Sequence, residues 1–233
     1  MTENNNSTTQ QGEPHQGVPH QGEPHQGEPQ KVEALVQQLE SEGLLLLADV
    51  KLPSLVTRVA GEPVRGSWWG HPASTEIFAL LRALEWHPDV WALKLVQEKL
   101  TFVHRRLWPA LLGLVMARQR WQVQGLSRAE QGLWAAVEAH GQLELAQLPA
   151  GLGLSLKEVG AAARTLEGRL LAYVRLEHVG GGHSVQGLES WSVRSTCYGV
   201  SRLDSAGEAL EQLEGCYRVL EEQAGMRLRR PWR

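Results

Sequence analysis

Cysteine is scarce in this sequence, since only Cys197 and Cys216 occur among its 233 residues. Two cysteines near the C-terminus cannot form the disulfide framework that is typical of small secreted proteins, and they do not have the spacing of metal ligands. The N-terminus does not read as a signal peptide, because no charged stretch is followed by an apolar one. We therefore expect a reducing compartment and a cytoplasmic protein.

Long apolar runs are also missing. The longest, at 44–48 and 111–117, fall far short of the roughly 20 residues that a membrane-spanning helix needs. The sequence thus predicts no membrane partner.

Several familiar catalytic motifs are absent as well. The sequence contains no nucleophile-elbow glycine pattern, phosphate-loop lysine motif, paired histidine–glutamate zinc motif or dinucleotide-binding glycine fingerprint. These absences disfavour hydrolases, kinases and dehydrogenases of the common types. We expect no cofactor and no metal, and whether the chain catalyses any reaction is left open.

The charged residues of the N-terminal region all have the same sign. Residues 1–30 carry four acidic side chains and no lysine or arginine, whereas the whole chain has a net charge of −3. The remainder is therefore close to neutral. This balance neither indicates strong non-specific binding to phosphates nor excludes a local basic groove.

A five-residue unit, Gln-Gly-Glu-Pro-His, repeats across 11–30. Proline and glycine disfavour regular structure, and the unit supplies no apolar surface to offset the entropy lost on ordering. The sequence therefore predicts a disordered tail over 1–30. The recurring His15, His20 and His25 are compatible with metal scavenging, but a solubilising tail is the favoured interpretation, because a flexible chain loses much entropy on sharing one ion.

The region 31–126 has the element order of a winged-helix-like unit. Apolar spacing predicts a first helix that continues through 44–47, and Ser54 and Gly61 bound a short second helix. A third helix is predicted at 74–86 and a β-hairpin at 90–103. A further helix is expected at 105–118, with Pro109 near its start, where proline is tolerated.

The region 127–200 repeats this order and predicts a second winged-helix unit. Capping boxes at Ser127 and Ser155 open two helices, a short helix is expected at 143–148, and a two-stranded wing at 170–191. Residues 201–233 predict an amphipathic helix followed by a basic, arginine-rich tail, and this helix packs back or contacts a protein partner. The expected fold class is mainly α with short β-hairpins, an α+β fold of tandem winged-helix-like units.

Two segments carry a resemblance to known proteins. The stretches 66–72 (GSWWGHP) and 101–112 (TFVHRRLWPALL) resemble the signatures of a bacterial family that has no assigned reaction, so the likeness implies no mechanism. Tandem winged helices also distantly resemble the crosslink-repair DNA glycosylases, which carry a Gln-x-Gln active-site motif. The segment 122–124 (QVQ) has this form, but it lies between the two units and lacks the Asp-Pro companion.

The first candidate site is the loop that contains two adjacent tryptophans. Trp68 and Trp69 cannot both face inward, so one is expected in the core and the other at a surface. Beside them, Arg65, Ser67 and His71 precede a helix N-terminus and could hold a phosphate or a flipped base. Alternatively, the tryptophans only join the first helix to the third, and His71 donates to a backbone carbonyl.

The second candidate site is basic. His104, Arg105 and Arg106 leave the first predicted wing and could bridge a phosphate backbone, or else form a hydrated polar edge. Lys157 and Arg164 lie on the helix that would enter a major groove, although three alanines at 161–163 favour protein contact there.

The sequence therefore favours a winged-helix nucleic-acid-binding protein, with DNA as its partner, in DNA repair or regulation. Glycosylase-like activity is a less favoured form of this hypothesis. The alternative is a non-catalytic adaptor that assembles with a protein through its winged-helix units and its C-terminal helix.

Overall fold

The computed structural model describes residues 28–145, 148, 152–179 and 183–232. Within these residues the protein is mainly helical, with two small three-stranded antiparallel sheets, which is an α+β fold. None of the described helices is both long enough and apolar enough to cross a membrane. The predicted disordered tail lies outside the described residues except at 28–30.

Those three residues were assigned to the tail, and this boundary is wrong because helix α1 spans Glu28–Glu42. Pro29 lies in its first turn. A proline is accepted there because the first N–H groups of a helix have no carbonyl partner within the helix.

The first half of the chain forms the first sheet and three helices. After α1 come β1 (Leu44–Leu46), α2 (Leu55–Ala60), a 3₁₀ turn (Trp68–Gly70), α3 (Ser74–Glu85), β2 (Val90–Val96) and β3 (Lys99–His104). The strand order in the sheet is β1-β3-β2, with both pairs antiparallel. The predicted hairpin is confirmed, and so are the Ser54 cap and the Gly61 stop of α2.

The first helix does not continue through 44–47 as expected. Gly43 ends it with a φ of +84°, and Leu44–Leu46 pair with β3 as a fully buried strand. A short apolar run that is buried on both faces has no periodicity to distinguish strand from helix. The pairing partner, 55 to 59 positions away, decides the outcome.

Two helices follow the first sheet. A 3₁₀ turn (Arg105–Leu107) leads into α4 (Trp108–Val115), which is shorter than the predicted helix and ends before the positive φ of Arg118. A single turn, α5 (Arg120–Val123), was not predicted.

The second half forms the second sheet. Its elements are α6 (Arg128–His140), β4 (Gln142–Glu144), α7 (Leu156–Gly168), β5 (Tyr173–Val179) and β6 (His183–Glu189), and its strand order is β4-β6-β5. The capping boxes at Ser127 and Ser155 are confirmed. The short helix predicted from residue 143 is wrong at its start, because Leu143 pairs with Leu188 in a strand. The triple-glycine turn lies outside the described residues.

The C-terminal region belongs to the core. Helix α8 (Trp191–Tyr198) replaces the end of the predicted wing, and α9 (Ala206–Ala224) confirms the amphipathic helix. Helix α9 packs against α4, and the Tyr217 hydroxyl donates to the Leu95 carbonyl oxygen over 2.9 Å.

The predicted basic tail is wrong at Arg230. Its side chain is buried and forms ion pairs with Glu214 and Glu221. Nearby, the Trp232 indole donates to Glu214 over 2.9 Å. Arg227 and Arg229 remain exposed.

The largest hydrophobic cluster joins the two halves. It contains residues from β2, α4, β5, α8 and α9, including the stacked pair Trp91 and Trp108, whose ring centroids are 4.1 Å apart. Smaller clusters fill each half separately. Because the junction is itself a packed core, the surfaces beside it hold side chains from both halves in fixed positions.

Candidate functional site

The two tryptophans of the 68–70 turn face different environments, as predicted. Trp68 is 8% exposed and belongs to the first core, whereas Trp69 is 60% exposed. Their rings stack with centroids 4.2 Å apart, and Trp69 also contacts Phe78 of α3 at 5.5 Å. One indole therefore anchors the loop and the other is presented to solvent.

The polar residues of this loop are wholly or partly accessible to solvent. Arg65 and Ser67 are exposed, and His71 is half-buried. The Nδ1 atom of His71 accepts a hydrogen bond from the Ala73 N–H over 3.2 Å. Among the described residues the His71 imidazole forms no hydrogen bond to a backbone carbonyl, which was the alternative expected, and it instead accepts from the backbone at the start of α3.

The His104–Arg106 turn is occupied by local contacts. His104 is buried and accepts from the Arg106 N–H over 3.3 Å, and burial lowers the pKa of its imidazole. Arg105 forms an ion pair with Asp89 at 3.2 Å. The Arg106 guanidinium donates to the carbonyl oxygens of residues 40 and 41 at the end of α1. This arginine therefore satisfies carbonyls that the helix leaves without a partner.

Lys157 and Arg164 both lie exposed on α7, apart from the turn at 104–106. The C-terminal end of α7 contacts β2 of the first half, where Lys94 pairs with Glu167 at 2.8 Å. Arg164 therefore lies at the junction of the two halves, whereas Lys157 lies near the beginning of the helix.

An open groove of about 400 Å³ runs along this junction. It lies between the β2–β3 hairpin, α7 and the C-terminal segment. Among the described residues that line it, five are cationic and one, Glu98, is acidic. We call this the cationic groove, and its cations are Lys94, Arg164, Arg169, Arg229 and Arg230.

The cations of the groove differ in how far they are neutralised. Arg230 is fully paired inside the core, and Lys94 shares its charge with Glu167. The exposed pair Arg229–Glu98, at 3.5 Å, is solvated and weak.

Two further cations of the groove have no ion pair among the described residues. Arg164 has no ion pair within the part of the chain that the structure describes. Arg169 donates to the carbonyl oxygens of Gln122 and Gln124, which are neutral partners. Positive charge therefore remains available in the groove.

No protein family, curated protein or solved structure matches this chain.

A second cavity, of about 120 Å³, opens at the same junction. None of the residues predicted from the sequence as site residues lines it. Its lining combines aromatic rings with one carboxyl and two guanidinium groups, and we call it the aromatic cleft. The lining residues are Glu85, Trp86, Ala92, Tyr173, Val174, Arg175, Arg194 and Tyr198.

Glu85 is the last residue of α3 and lines the aromatic cleft. Its Oε2 atom is buried and has no hydrogen-bond partner among the described residues. Burial raises the pKa of Glu85 to about 6, and the positive charge of Arg82 offsets part of this effect. The negative end of the α3 dipole also disfavours the ionised carboxyl.

Arg194 of α8 forms one wall of the cleft. Its guanidinium lies 3.4 Å from the ring centroid of Tyr173 and 5.1 Å from that of Tyr198. It also forms a buried ion pair with Glu189 at 3.2 Å, which balances its charge. Cation–π contacts and the ion pair together hold the guanidinium in one orientation.

The Gln-x-Gln segment has a structural role at its first glutamine. Gln122 is fully buried, donates to the Val115 carbonyl oxygen over 3.0 Å and accepts from the Gln119 N–H over 2.8 Å. Its amide is thus enclosed by backbone groups of the segment that joins the two halves.

Sequence reasoning identified Arg164 but missed Lys94 and Arg229 as its neighbours, and it missed the aromatic cleft entirely. These residues come from elements far apart in the chain. Trp86 gave no signal in the sequence, because its exposure directly after a helix that ends at Glu85 is known only from the structure.

Proposed function

We propose that this protein binds nucleic acid, most simply DNA, by placing the phosphate backbone in the cationic groove. The observation that carries the proposal is the convergence of cations from three elements, Lys94 of β2, Arg164 of α7 and Arg229 of the C-terminal segment. Arginine and lysine contacts to phosphates supply most of the affinity in such interfaces.

We further propose that the two halves are winged-helix units. The first half runs helix, strand, helix, helix, strand, strand, and its third strand lies in the middle of the sheet. The second sheet has the same order, and α7 occupies the position of the third helix. In proteins of this kind that helix contacts the nucleic acid, which agrees with the position of Arg164.

The alanines at 161–163 favoured protein contact in the sequence analysis, but in the structure they supply little of the exposed surface of α7. Ala162 and Ala163 are buried in the second core, and only Ala161 is exposed. The exposed side of α7 carries the charged residues Lys157, Glu158 and Arg164, beside one large apolar residue, Leu156. Its surface is therefore more polar than its composition indicated.

An aromatic side chain in the groove supports single-stranded as well as duplex ligands. Trp121 is half-buried and lines the groove beside the cations. Unpaired bases stack on such rings with little sequence preference. We also propose a setting in DNA repair or regulation, as the sequence led us to expect. A cytoplasmic location rests on the cysteine usage, with free thiols at Cys197 and Cys216.

The test is a fluorescence-anisotropy titration of labelled duplex and single-stranded DNA over a series of salt concentrations. The test variant replaces Lys94, Arg164 and Arg229 by glutamine. A control variant replaces the exposed cations Lys51, Arg128 and Arg218, which lie outside the groove, and so removes the same charge.

We expect wild type and control to bind with similar affinity, and the groove variant to bind much more weakly. Loss of three phosphate contacts would reduce the slope of log affinity against log salt by about 2.7 for duplex DNA. Equal loss in both variants would assign the effect to net charge and overturn the groove. Absence of binding at low salt would overturn nucleic-acid binding altogether and favour the adaptor.

The surface predicted from the sequence is tested in the same titration. An Arg65→Gln, Arg105→Gln variant removes one cation from the tryptophan loop and one from the 104–106 turn. Arg106 is kept because its guanidinium binds the end of α1. If this variant binds more weakly than the groove variant, the interface lies at the tryptophan loop instead.

A further inference from the structure

The aromatic cleft lies next to the cationic groove. Ala92 lines the cleft and Lys94 lines the groove, and both side chains point to the same face of β2. Two residues along a strand span about 7 Å. A chain of nucleotides in the groove therefore passes within one nucleotide of the cleft.

The cleft offers aromatic surface from both halves of the protein. Trp86 follows α3 and is 68% exposed, and Tyr198 ends α8 and is 37% exposed. Contact between exposed aromatic rings and water is unfavourable, so a planar ligand that covers the rings gains free energy from their burial. The cavity is smaller than the 300–1,000 Å³ or so of sites for drug-sized ligands, so it suits a single ring system.

The polar groups of the cleft include two atoms without a partner among the described residues. These are the buried Oε2 of Glu85 and the buried Nε of Arg194. Buried polar atoms in folded proteins are nearly always hydrogen-bonded, so a buried acceptor and a buried donor without partners beside one cavity show that both groups are incompletely satisfied. Because Oε2 and Nε are enclosed, a ligand reaches the same two groups through Oε1 of Glu85 and Nη2 of Arg194, which form no hydrogen bond among the described residues.

We propose that the aromatic cleft binds a pyrimidine nucleobase, with its ring against Trp86 and Tyr198 and its polar edge toward Glu85 and Arg194. An amino or ring N–H of the base donates to the carboxylate, and a carbonyl oxygen or ring nitrogen accepts from the guanidinium. A phosphate is disfavoured because it would meet the Glu85 carboxylate. A hydrocarbon is disfavoured because it would offer no hydrogen bond to the carboxyl or the guanidinium group.

The base has two possible sources, a free nucleoside or a nucleotide of a bound strand. Only the second source rests on the proposed function. Ligand-observed NMR with cytidine, and with ribose as the non-planar control, measures the free-nucleoside arm. Tryptophan fluorescence during titration with a cytosine-containing single strand, and with an abasic strand of the same length, measures the second arm.

The test variants are Glu85→Ala and Trp86→Ala, and Trp69→Ala is the matched control because it removes an exposed tryptophan elsewhere. Circular dichroism and thermal unfolding verify that all three fold. We expect cytidine, but not ribose, to bind wild type and the Trp69 variant, and to bind the cleft variants about tenfold more weakly.

The outcomes separate the two proposals. Cytidine binding that survives in the groove variant, without DNA binding by wild type, supports the cleft and overturns the groove. A response only to the cytosine-containing strand, lost in both cleft variants, supports the cleft with the strand as the source of the base. If neither cytidine nor the strand distinguishes the cleft variants from wild type, the cleft proposal is overturned.

Discussion

The Gln122 side-chain amide donates to the Val115 carbonyl oxygen over 3.0 Å and so fixes the segment between the two halves to the end of α4. The same amide nitrogen lies 3.4 Å from the Arg169 carbonyl oxygen and 3.5 Å from that of Leu170. One buried glutamine therefore connects the first half, the linking segment and the end of α7.

Replacement of Gln122 by alanine should destabilise the protein. It should remove no side-chain contact from the groove or the cleft. Removal of the amide leaves the part-buried Gln119 N–H and the buried Val115 carbonyl oxygen without this partner, which costs about 1–3 kcal/mol. Urea unfolding measures the change, with Gln124→Ala, an exposed neighbour, as the control. An unchanged midpoint would contradict the structural role of Gln122.

The two adjacent tryptophans should differ in their effect on stability. Trp68→Ala opens a cavity in the first core and should cost about 3–5 kcal/mol. Trp69→Ala removes a mainly exposed ring and its stacking contacts, and should cost about 1 kcal/mol. Chemical denaturation of both variants tests this difference. Similar losses would mean that both rings contribute equally to the core.

The pKa of Glu85 predicts a stability change in the acid range. Its folded-state pKa of about 6 lies above the ordinary value of 4.5, so the folded protein holds this proton more tightly than the unfolded chain. The ionised carboxyl therefore destabilises the fold above about pH 6, and this penalty disappears as the pH falls toward about 4.5.

Glu85→Gln removes this penalty. Because the side chain is only half-buried, we expect the variant to be more stable than wild type by about 1 kcal/mol near pH 7.5. The advantage should vanish near pH 4.5, where both side chains are neutral. Urea unfolding at the two pH values measures it, and an advantage of the same size at both would assign the effect to something other than ionisation.

The buried ion cluster of Arg230 should be essential to the C-terminal region. Arg230→Met leaves the buried carboxylate of Glu214 without its cation, which costs about 3 kcal/mol or more. Thermal unfolding tests this loss, and Arg227→Met, at an exposed arginine nearby, is the control. Equal stability of the two variants would contradict a buried ion cluster.

The same variant should alter acid unfolding. Hydrogen bonds from Arg230 lower the pKa of Glu221 to about 2, so this carboxylate stabilises the fold above pH 4.5 and loses that effect as the pH falls toward 2. Without Arg230, the decline of stability across this range should be shallower than in wild type. A decline of the same steepness would mean that another group accounts for it.

Local features of the fold were predictable from the sequence. The caps at Ser54, Ser127 and Ser155 depend on hydrogen bonds to N–H groups three residues ahead, so a short window of sequence contains both partners. The β2–β3 hairpin and the amphipathic α9 are recognisable for the same reason, since turn residues and apolar spacing are local. The different environments of Trp68 and Trp69 also follow from their adjacency.

Other elements depended on partners far along the chain. Leu44–Leu46 became a strand because β3 supplies hydrogen bonds from 55 to 59 residues away, and β4 became a strand because β6 supplies them from 43 to 47 residues away. Arg230 reads as part of a basic tail until α9 places Glu214 and Glu221 beside it. Composition cannot distinguish an exposed cation from a buried and paired one.

Both candidate binding surfaces were decided by tertiary structure. Lys94, Arg164 and Arg229 come from a strand, a helix and the chain end, and Glu85 and Tyr198 come from opposite halves. The sequence by itself determined which side chains are chemically able to bind a phosphate or a base. Only the packed junction decided which of them share a surface, because contacts between distant segments depend on how the hydrophobic faces of whole elements are buried against one another.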